Sequence, residues 1–303
     1  MFSSLAIRQL KISPASLLKQ SKVFSSTMEG FETLSITVPK PFVYQVKLNR
    51  PKNLNTMNRK MWFEIGKCFD TLASKDDCRS IVLSAAGKVF SAGIDLKDMV
   101  ELGGLLAEHD DIARKCKVIE DWLNGYQNDI SAVERCPKPV IGAVHNACIG
   151  GALDLLTATD VRLCSSDAWF QVKEVDIGMA ADVGTLQRLP RIIGNQSLVN
   201  EICLTSRKVE SQEAKDCGLV SKVYDTKENL LAGAIELAET IASKSPVAVQ
   251  LTKRSLVHAR NHSTQEGLDF IRYWNMTMLQ SEDFINAAMA QATKSPPPTF
   301  AKL

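Results

Sequence analysis

The sequence predicts an α/β fold in which a core of alternating strands and helices is followed by a helical region. Two observations support this class. Short stretches rich in β-branched residues alternate with amphipathic stretches over residues 31–225, which is typical of strands paired in parallel through helical connections. Over residues 226–294 the pattern is helical throughout, which indicates helices packed across the core or onto a neighbouring subunit.

The first half of the core is predicted to contain three strands and two helical regions. The segments SITVP and VYQVKLNR, within residues 35–50, favour the first two strands. Apolar residues recur at helical spacing over residues 59–74, and Asn58 can cap that helix. A strand over residues 79–87 and a polar helical region over about 106–134 follow.

The second half of the core contains shorter predicted elements. An apolar strand, PVIGAVH, begins at the second proline of the break Pro137-Lys138-Pro139. A short helix, GGALDLLTA, opens at Gly150, and two strands, DVRLCSS and AWFQVKE, come next. In the helical region that follows, Pro246 suits the first turn of a helix.

Charge, hydropathy and cysteine spacing exclude several classes of protein. The net charge is +2 and no stripe of lysine and arginine is present, so we expect no nucleic-acid partner. No run of about 18 apolar residues occurs, so we expect no membrane span. The 8 cysteines include no CxxC pair, which favours buried free thiols over disulfides or a zinc site, and we expect no metal.

Both termini have the composition of targeting segments. Residues 1–30 are basic and rich in serine, with no acid before Glu29, and predict a mitochondrial presequence; the alternative is a basic tail without a targeting role. Residues 295–303 predict an extended tail, because three prolines occur in succession. The tail ends in Ala-Lys-Leu, a near variant of the peroxisomal Ser-Lys-Leu signal, or a chance match to it.

The stretch FSAGIDL, residues 90–96, is the first of three that carry candidate site residues. A strand is predicted to end here, and the small residues Ala92 and Gly93 would let the backbone approach a ligand closely. Taken alone, however, the stretch favours an ordinary turn between a strand and a helix.

The second stretch, CIGGALDL at residues 148–155, has a glycine pair where a helix begins. The first N–H groups of a helix lack partners within it, and they suit an oxyanion that develops during a reaction. Asp154 lies among leucines, so it is either a buried functional acid or an acid favoured by the helix N-terminus. His145, just before this stretch, favours a hydrogen-bonded core histidine.

The third stretch, QVKEVDIGMAADVG at residues 171–184, has three acids among apolar residues. Glu174 and Asp176 would share one face of a strand if the chain stays extended. Asp182 would begin a helix, either as a functional acid or as its cap, and Asp176 is either functional or a surface acid. No phosphate-binding loop, metal cluster or Ser/His/Asp set in the sequence competes with these acids.

In their order and spacing, the three stretches resemble the crotonase (enoyl-CoA hydratase/isomerase) superfamily over about residues 35–290. The resemblance implies a crotonase-like spiral of ββα units over residues 31–225 and a C-terminal helical oligomerisation region over residues 226–294. It also implies an acyl-CoA thioester as substrate, no separate cofactor, and a homotrimer or homohexamer.

The resemblance assigns roles by motif position. The backbone N–H groups of Ile94 and Gly151 would form an oxyanion hole for the thioester carbonyl. Asn146-Ala147 replaces a glycine pair that the family often has, but Asn tolerates left-handed backbone. The residues expected to bind substrate are Ala92, Gly93, Ile94, Asp95, Leu96 and Gly151.

The expected catalytic acids are Asp154, Glu174 and Asp182. Hydratases of the superfamily typically have glutamates at the first two positions and glycine at the third. The set found here resembles those members that move the double bonds of a 3,5-dienoyl-CoA to the 2,4 positions during fatty-acid β-oxidation. Such members occur in mitochondria and peroxisomes, so we expect the mitochondrial matrix, the peroxisome or both as the location.

In this reading Asp182 is the base at C2 and Glu174 the acid at C6, because one short carboxylate does not easily serve both carbons. Asp154 would lie between them and tune their protonation, since carboxylates in a dry pocket raise each other's pKa. One alternative is a 2-enoyl-CoA hydratase, which needs no acid at position 182. Another is a non-catalytic crotonase-fold binding protein, which we expect to lose acids or gain a lysine-rich helix.

Overall fold

The computed structural model of the protein describes residues 30–303. The predicted presequence lies outside these residues, apart from Gly30, and stays a prediction. Within the described range, no helix combines the length and the hydropathy needed to cross a bilayer.

Nine strands of the described range form two sheets of mixed direction. They are β1 (Leu34–Lys40), β2 (Val43–Leu48), β3 (Ser80–Ala85), β4 (Val140–Val144), β5 (Ala147–Ile149), β6 (Val161–Ser165), β7 (Trp169–Gln171), β8 (Val209–Glu210) and β9 (Lys222–Tyr224). The larger sheet has the order β1-β2-β3-β4-β6-β9, in which β1 is antiparallel to β2 and the other pairs are parallel. The smaller sheet pairs β5 with β7 in parallel and β7 with β8 antiparallel. The predicted parallel pairing is therefore confirmed.

Eleven α-helices and two 3-10 turns complete the described range. The helices are α1 (Arg59–Ala73), α2 (Leu96–Ala107), α3 (Ile112–Arg135), α4 (Gly151–Thr157), α5 (Thr185–Ile192), α6 (Gln196–Thr205), α7 (Ser211–Asp216), α8 (Lys227–Ala242), α9 (Pro246–Ala259), α10 (Thr264–Met278) and α11 (Glu282–Ala292). The 3-10 turns are Pro51–Asn53 and Glu174–Ile177.

Most predicted elements agree with these bounds. Asn58 caps α1 by accepting a hydrogen bond from the Met61 N–H at 3.1 Å, as expected. The polar helical region predicted at about 106–134 is confirmed as α3, which begins later than predicted, and the sequence did not predict the separate helix α2 before it. Helix α3 begins at Ile112 because Asp111 caps it by accepting a hydrogen bond from the Arg114 N–H at 3.0 Å.

The larger sheet is covered on both faces, as parallel strands rich in Val, Ile and Leu require. The side chains of β3 are buried along its whole length. Helix α8 covers one face with Leu230 and a row of alanines that includes Ala234 and Ala238, which pack near Val82 and Ile141. The small alanine side chains let this helix lie close to the strands.

Backbone hydrogen bonds join the first two motif stretches. The Ser91 N–H donates to the Ala147 oxygen at 3.0 Å, and the Ile149 N–H donates to the Ser91 oxygen at 3.2 Å. The chain after β3 and the chain after β4 therefore run side by side at the carboxyl edge of the sheet. This pairing brings FSAGIDL next to CIGGALDL.

The C-terminal tail, residues 295–303, has no regular secondary structure and ends against the core. The Arg79 guanidinium donates to the backbone oxygens of Phe300 at 2.7 Å and Ala301 at 2.8 Å. The Lys138 ammonium donates to the Leu303 backbone oxygen at 3.3 Å. The proposed targeting role of the last three residues stays a prediction.

Helix α9 is anchored to the core by a buried ion pair. The Lys253 ammonium lies 2.6 Å from the Asp160 carboxylate and donates to the Lys138 backbone oxygen at 3.1 Å. The Lys253 residue is only 6% exposed. An ammonium group this deep in the protein is tolerated because these oxygens replace its hydration.

We expect Lys253→Ala to lower the free energy of unfolding by about 3–5 kcal/mol, because Asp160 would lose its charged partner in a largely dry environment. Urea denaturation of the purified protein measures the change. Lys244→Ala is the control, since that lysine is exposed, and we expect it to change the free energy by about 0.5 kcal/mol or less. Equal effects of the two variants would contradict this account of how α9 is held.

Candidate active site

A cavity of about 530 Å3 opens where the three motif stretches meet. Every residue that motif position assigned to substrate or catalysis lies on its wall. These residues are Ala92, Gly93, Ile94, Asp95, Leu96, Gly151, Asp154, Glu174 and Asp182. Residues up to 90 positions apart in the chain thus line one cavity.

The Ile94 N–H is directed away from its neighbouring chain. The Met57 N–H donates to the Gly93 oxygen at 2.8 Å, and the Asp95 N–H donates to the Met57 oxygen at 3.1 Å. In such a parallel bridge the residue between the two bonds directs its own N–H to the opposite side. Among the described residues no acceptor pairs with the Ile94 N–H, so it can serve a ligand.

Gly151 supplies a second N–H at the first residue of α4. This N–H has no acceptor among the residues described. Gly150 before it has a φ of 52°, a left-handed value that favours glycine. A Cβ on Gly151 would lie 2.8 Å from the Trp62 ring, so the packing also requires glycine here. The Gly151 and Ile94 N–H groups together form a candidate oxyanion hole.

Asp154, one helical turn beyond Gly151, is fully buried. One of its carboxylate oxygens accepts a hydrogen bond from the Thr185 N–H, and the other has no partner among the described residues. Burial, together with the nearby Glu174 carboxylate, raises the pKa of Asp154 to about 7. Asp154 can therefore hold a proton near neutral pH.

Glu174 lies directly beside the glycine pair. A Cβ built on Gly150 would lie 3.1 Å from the Oε1 atom of Glu174. The Glu174 residue is 8% exposed, and its Oε2 atom has no partner in the described part of the chain. Burial raises the pKa of this carboxyl group, and the Asp182 charge raises it further.

Asp182 is the most accessible of the three acids. Its side chain is partly exposed, and partial burial raises its pKa. Its backbone oxygen accepts a hydrogen bond from the Gln127 side chain on α3 at 2.7 Å. No donor from another described residue binds its carboxylate, so this group is free to act on a ligand in the cavity.

Two local predictions for the third stretch are wrong. Glu174 and Asp176 do not share a strand face, because β7 ends at Gln171 and the 3-10 turn begins at Glu174. Asp182 does not cap α5, because that helix begins at Thr185, whose N–H binds Asp154 instead.

Two interpretations of nearby residues as structural are confirmed. Asp176 is an exposed acid paired with Lys173. His145 is buried, and its Nε2 atom lies 3.1 Å from the Gly87 oxygen.

Sequence reasoning missed several residues of the cavity wall. Trp62 and Tyr126 come from α1 and α3, and their rings stack with centroids 4.6 Å apart. Lys97 and Lys173 also line the cavity. Trp62 and Tyr126 lie outside the three motif stretches, and no role was assigned to Lys97, directly after the first stretch, or to Lys173, within the third.

Comparisons with known proteins agree with this geometry. Residues 40–298 match the model of the enoyl-CoA hydratase/isomerase family, and the chain belongs to that family. It is 51% identical over 261 residues to the human mitochondrial Δ(3,5)-Δ(2,4)-dienoyl-CoA isomerase, covering 86% of this chain and 79% of the relative. It is 43% identical over 279 residues to the peroxisomal Δ(3,5)-Δ(2,4)-dienoyl-CoA isomerase of Arabidopsis thaliana, covering 91% of this chain and 100% of the relative.

The fold also matches solved structures of the family. The crystal structure of an enoyl-CoA hydratase from Bacillus anthracis superposes with a TM-score of 0.78 at 27% identity, covering 88% of this chain and 98% of that one. The crotonase-like fold expected from the three motifs is therefore confirmed.

Asp154→Asn should stabilise the protein at pH 8 more than at pH 5. The folded-state pKa of Asp154, about 7, exceeds the unfolded value of about 3.9. Between these values the folded state binds more protons, so stability falls as pH rises and stays lowered above pH 7. Asn keeps an acceptor for the Thr185 N–H without this cost. Melting temperatures of parent and variant at both pH values test the expectation.

The matched control is Asp176→Asn, at an exposed carboxylate whose pKa is lowered by its bond to Lys173. This variant should gain no stability at pH 8. A melting-temperature difference for Asp154→Asn that is the same at both pH values would contradict the raised pKa.

Proposed function

We infer that this protein isomerises 3,5-dienoyl-CoA to 2,4-dienoyl-CoA in the β-oxidation of fatty acids. The observation that carries the inference is a third carboxylate, Asp182, on the wall that also holds Asp154 and Glu174. Moving two conjugated double bonds in this way removes a proton from C2 and adds one at C6. The similarity to dienoyl-CoA isomerases over most of the chain supports the same reaction.

The thioester carbonyl is proposed to bind the N–H groups of Ile94 and Gly151. Loss of the C2 proton leaves negative charge on the carbonyl oxygen, and two aligned N–H donors stabilise that charge. The lack of another acceptor for either group supports this role. Residues 92–96 would contact the substrate next to the thioester, and the substrate itself supplies the CoA.

The geometry favours Glu174 at C2, which is the opposite of the assignment expected from the sequence. C2 is one bond from the carbonyl carbon, so its base must lie close to the oxyanion hole. Glu174 meets this condition because its Oε1 atom lies against Gly150, the residue next to Gly151. Asp182 lines the same cavity but is more exposed than Glu174, and no contact places it beside the oxyanion hole, so it suits C6.

The proposed cycle begins with Glu174 ionised and Asp182 protonated. Glu174 takes a proton from C2, and the electron pair forms the C1–C2 double bond as the carbonyl oxygen becomes negative. Asp182 then gives its proton to C6, the carbonyl re-forms, and the double bonds move to C2–C3 and C4–C5. Exchange with solvent restores the two protonation states before the next turnover.

Raised pKa values suit this chemistry. A general acid must hold a proton near neutral pH, and burial raises the pKa of Asp182 in that direction. Asp154 has a pKa of about 7, and among its charged neighbours Glu174 raises that pKa most. Its proton or charge would set how readily Glu174 ionises, which is the tuning role proposed for it.

The two alternatives fit the cavity less well. A 2-enoyl-CoA hydratase has no use for an acid at position 182, yet Asp182 faces the same cavity as the other acids. A non-catalytic binding protein has no need of three carboxylates, two of them with a buried and unpartnered oxygen, since that arrangement costs stability.

We propose that the protein works in the mitochondrial matrix, in peroxisomes or in both. The composition of residues 1–30 and the Ala-Lys-Leu end support these two locations. Relatives named as mitochondrial and as peroxisomal support them as well.

We also propose that residues 226–294 build a homotrimer or homohexamer. Helices α10 and α11 have no fully buried side chain in the single chain. Together with Leu279, which follows α10, they expose many large apolar side chains, namely Leu268, Tyr273, Met276, Phe284, Ile285 and Met289. Exposed apolar surface on this scale is typical of an interface between proteins.

Isomerase activity is tested by mixing the purified protein with a 3,5-dienoyl-CoA and following the ultraviolet absorbance of the conjugated 2,4-dienoyl product. We expect Asp182→Asn and Glu174→Gln each to reduce the rate by about 10²–10⁴-fold, because each removes a proton carrier. No product from the parent, together with fast hydration of crotonyl-CoA, would overturn the proposed function in favour of a hydratase.

Deuterium exchange at C2 in D2O tests which acid serves which carbon. Asp182→Asn should retain deuterium exchange at C2, because Glu174, the base proposed for C2, is intact in this variant. Glu174→Gln should lose that exchange. The reverse result would restore the assignment of Asp182 to C2.

The oligomer is tested with the double variant Tyr273→Glu, Met276→Glu, which introduces charge into the exposed apolar surface of α10. We expect this variant to sediment as a monomer, or as a smaller assembly than the parent forms, because burying unpaired charges in the interface is costly. Gln265→Glu on the same helix serves as the control and should leave the mass unchanged. A parent that sediments as a monomer would contradict the proposal.

A further inference from the structure

Resting on the proposed isomerase function, we propose that Arg188 is a positioning residue for Asp182. It would hold residues 182–184 so that the Asp182 carboxylate reaches C6. Arg188 lies on α5 and lines a second cavity, of about 680 Å3. This cavity adjoins the active-site cavity, since Asp182 and Val183 line both.

The Asp182 carboxylate depends on its backbone for its position. Within the described range, no other residue donates a hydrogen bond to this carboxylate, whereas Asp154 is fixed by the Thr185 N–H. The neighbouring Gly184 has a φ of 135°, a value that side-chain-bearing residues rarely adopt. Contacts to residues 182–184 therefore decide where the carboxylate points.

Arg188 supplies one of these contacts. Its Nη1 atom donates to the Val183 backbone oxygen at 3.4 Å. The guanidinium also packs so closely on Gly184 that a Cβ there would overlap it. A second contact comes from the Gln127 side chain, which donates a hydrogen bond of 2.7 Å to the backbone oxygen of Asp182.

The guanidinium is itself held from α3. Its Nε and Nη2 atoms donate to one Glu134 carboxylate oxygen at 3.2 Å and 3.1 Å, and Nη2 donates to the Ser131 hydroxyl at 3.0 Å. A planar guanidinium bound through several nitrogens has a fixed orientation, which a lysine ammonium cannot reproduce. The Glu134 carboxylate also binds Arg260, the residue that follows α9, which connects the C-terminal helices to this arrangement.

The arrangement acts on one proton transfer and not the other. Glu174 lies in a different turn, next to Gly150, and the Ile94 and Gly151 N–H groups belong to other elements. Loss of Arg188 should therefore slow protonation at C6 while removal of the C2 proton proceeds as before. Substrate binding should change little, because Arg188 does not line the active-site cavity.

Arg188→Gln and Arg188→Lys test the proposal in the isomerase assay. We expect Arg188→Gln to lower kcat by about 10- to 100-fold with KM within about twofold of the parent, since small displacements of a reacting group have effects of this size. Arg188→Lys should recover part of the loss. In Arg188→Gln the isotope effect of substrate deuterated at C2 should fall towards unity and the solvent isotope effect should rise, because C6 protonation becomes rate-limiting.

The control is Arg191→Gln. This variant also removes a guanidinium from the wall of the second cavity, but the Arg191 side chain is hydrogen-bonded to Asn261 and not to residues 182–184. It should keep the kcat and isotope effects of the parent. If Arg188→Gln matches this control, or loses kcat with both isotope effects unchanged, Arg188 has only a structural role and the proposal is overturned. Failure of the parent to isomerise the substrate would instead be a failure of the proposed function.

Discussion

The geometry of the site depends on the hydrogen bond from the Thr185 N–H to the Asp154 carboxylate. The bond joins the middle of α4 to the first residue of α5. It therefore fixes the helix start that carries Gly151 relative to the segment that carries Asp182. Water does not reach the fully buried Asp154, so no solvent donor can replace Thr185 if this bond is lost. One short helix thus positions both the candidate oxyanion site and, through Thr185, the segment that carries Asp182.

The burial that orders the acids also makes them costly for the stability of the protein. Asp154 and Glu174 each keep an oxygen that is buried and has no partner in the described residues. Such oxygens reduce stability, and a stable protein usually pairs them. In the proposed reaction this cost has a function, because a Glu174 that is already stripped of water can take a proton from carbon near neutral pH while Asp154 tunes its ionisation.

Much of the fold and most of the cavity wall could be predicted because the signals are local. The Asn58 cap and the glycine pair at Gly150 are each encoded within a few residues. The strand predicted to include Glu174 could not be corrected from sequence. The strand ends at Gln171 because its partner β5 has only three residues. The Gly150 N–H, which follows β5, donates to the Gln171 backbone oxygen. Propensity does not reveal the length of a distant partner strand.

The residues that sequence reasoning missed are those whose contacts depend on how separate helices pack. Trp62 has the spacing of an ordinary core residue of α1, and only the packed structure brings its ring within 2.8 Å of where a Gly151 Cβ would lie. Two constraints therefore meet at Gly151. Its N–H belongs to the candidate oxyanion hole, and its α-carbon must leave room for the Trp62 ring. Arg188 is another residue whose contacts depend on packing. Its guanidinium lies where a Cβ on residue 184 would be, so this contact requires glycine there, and the sequence alone does not reveal that requirement.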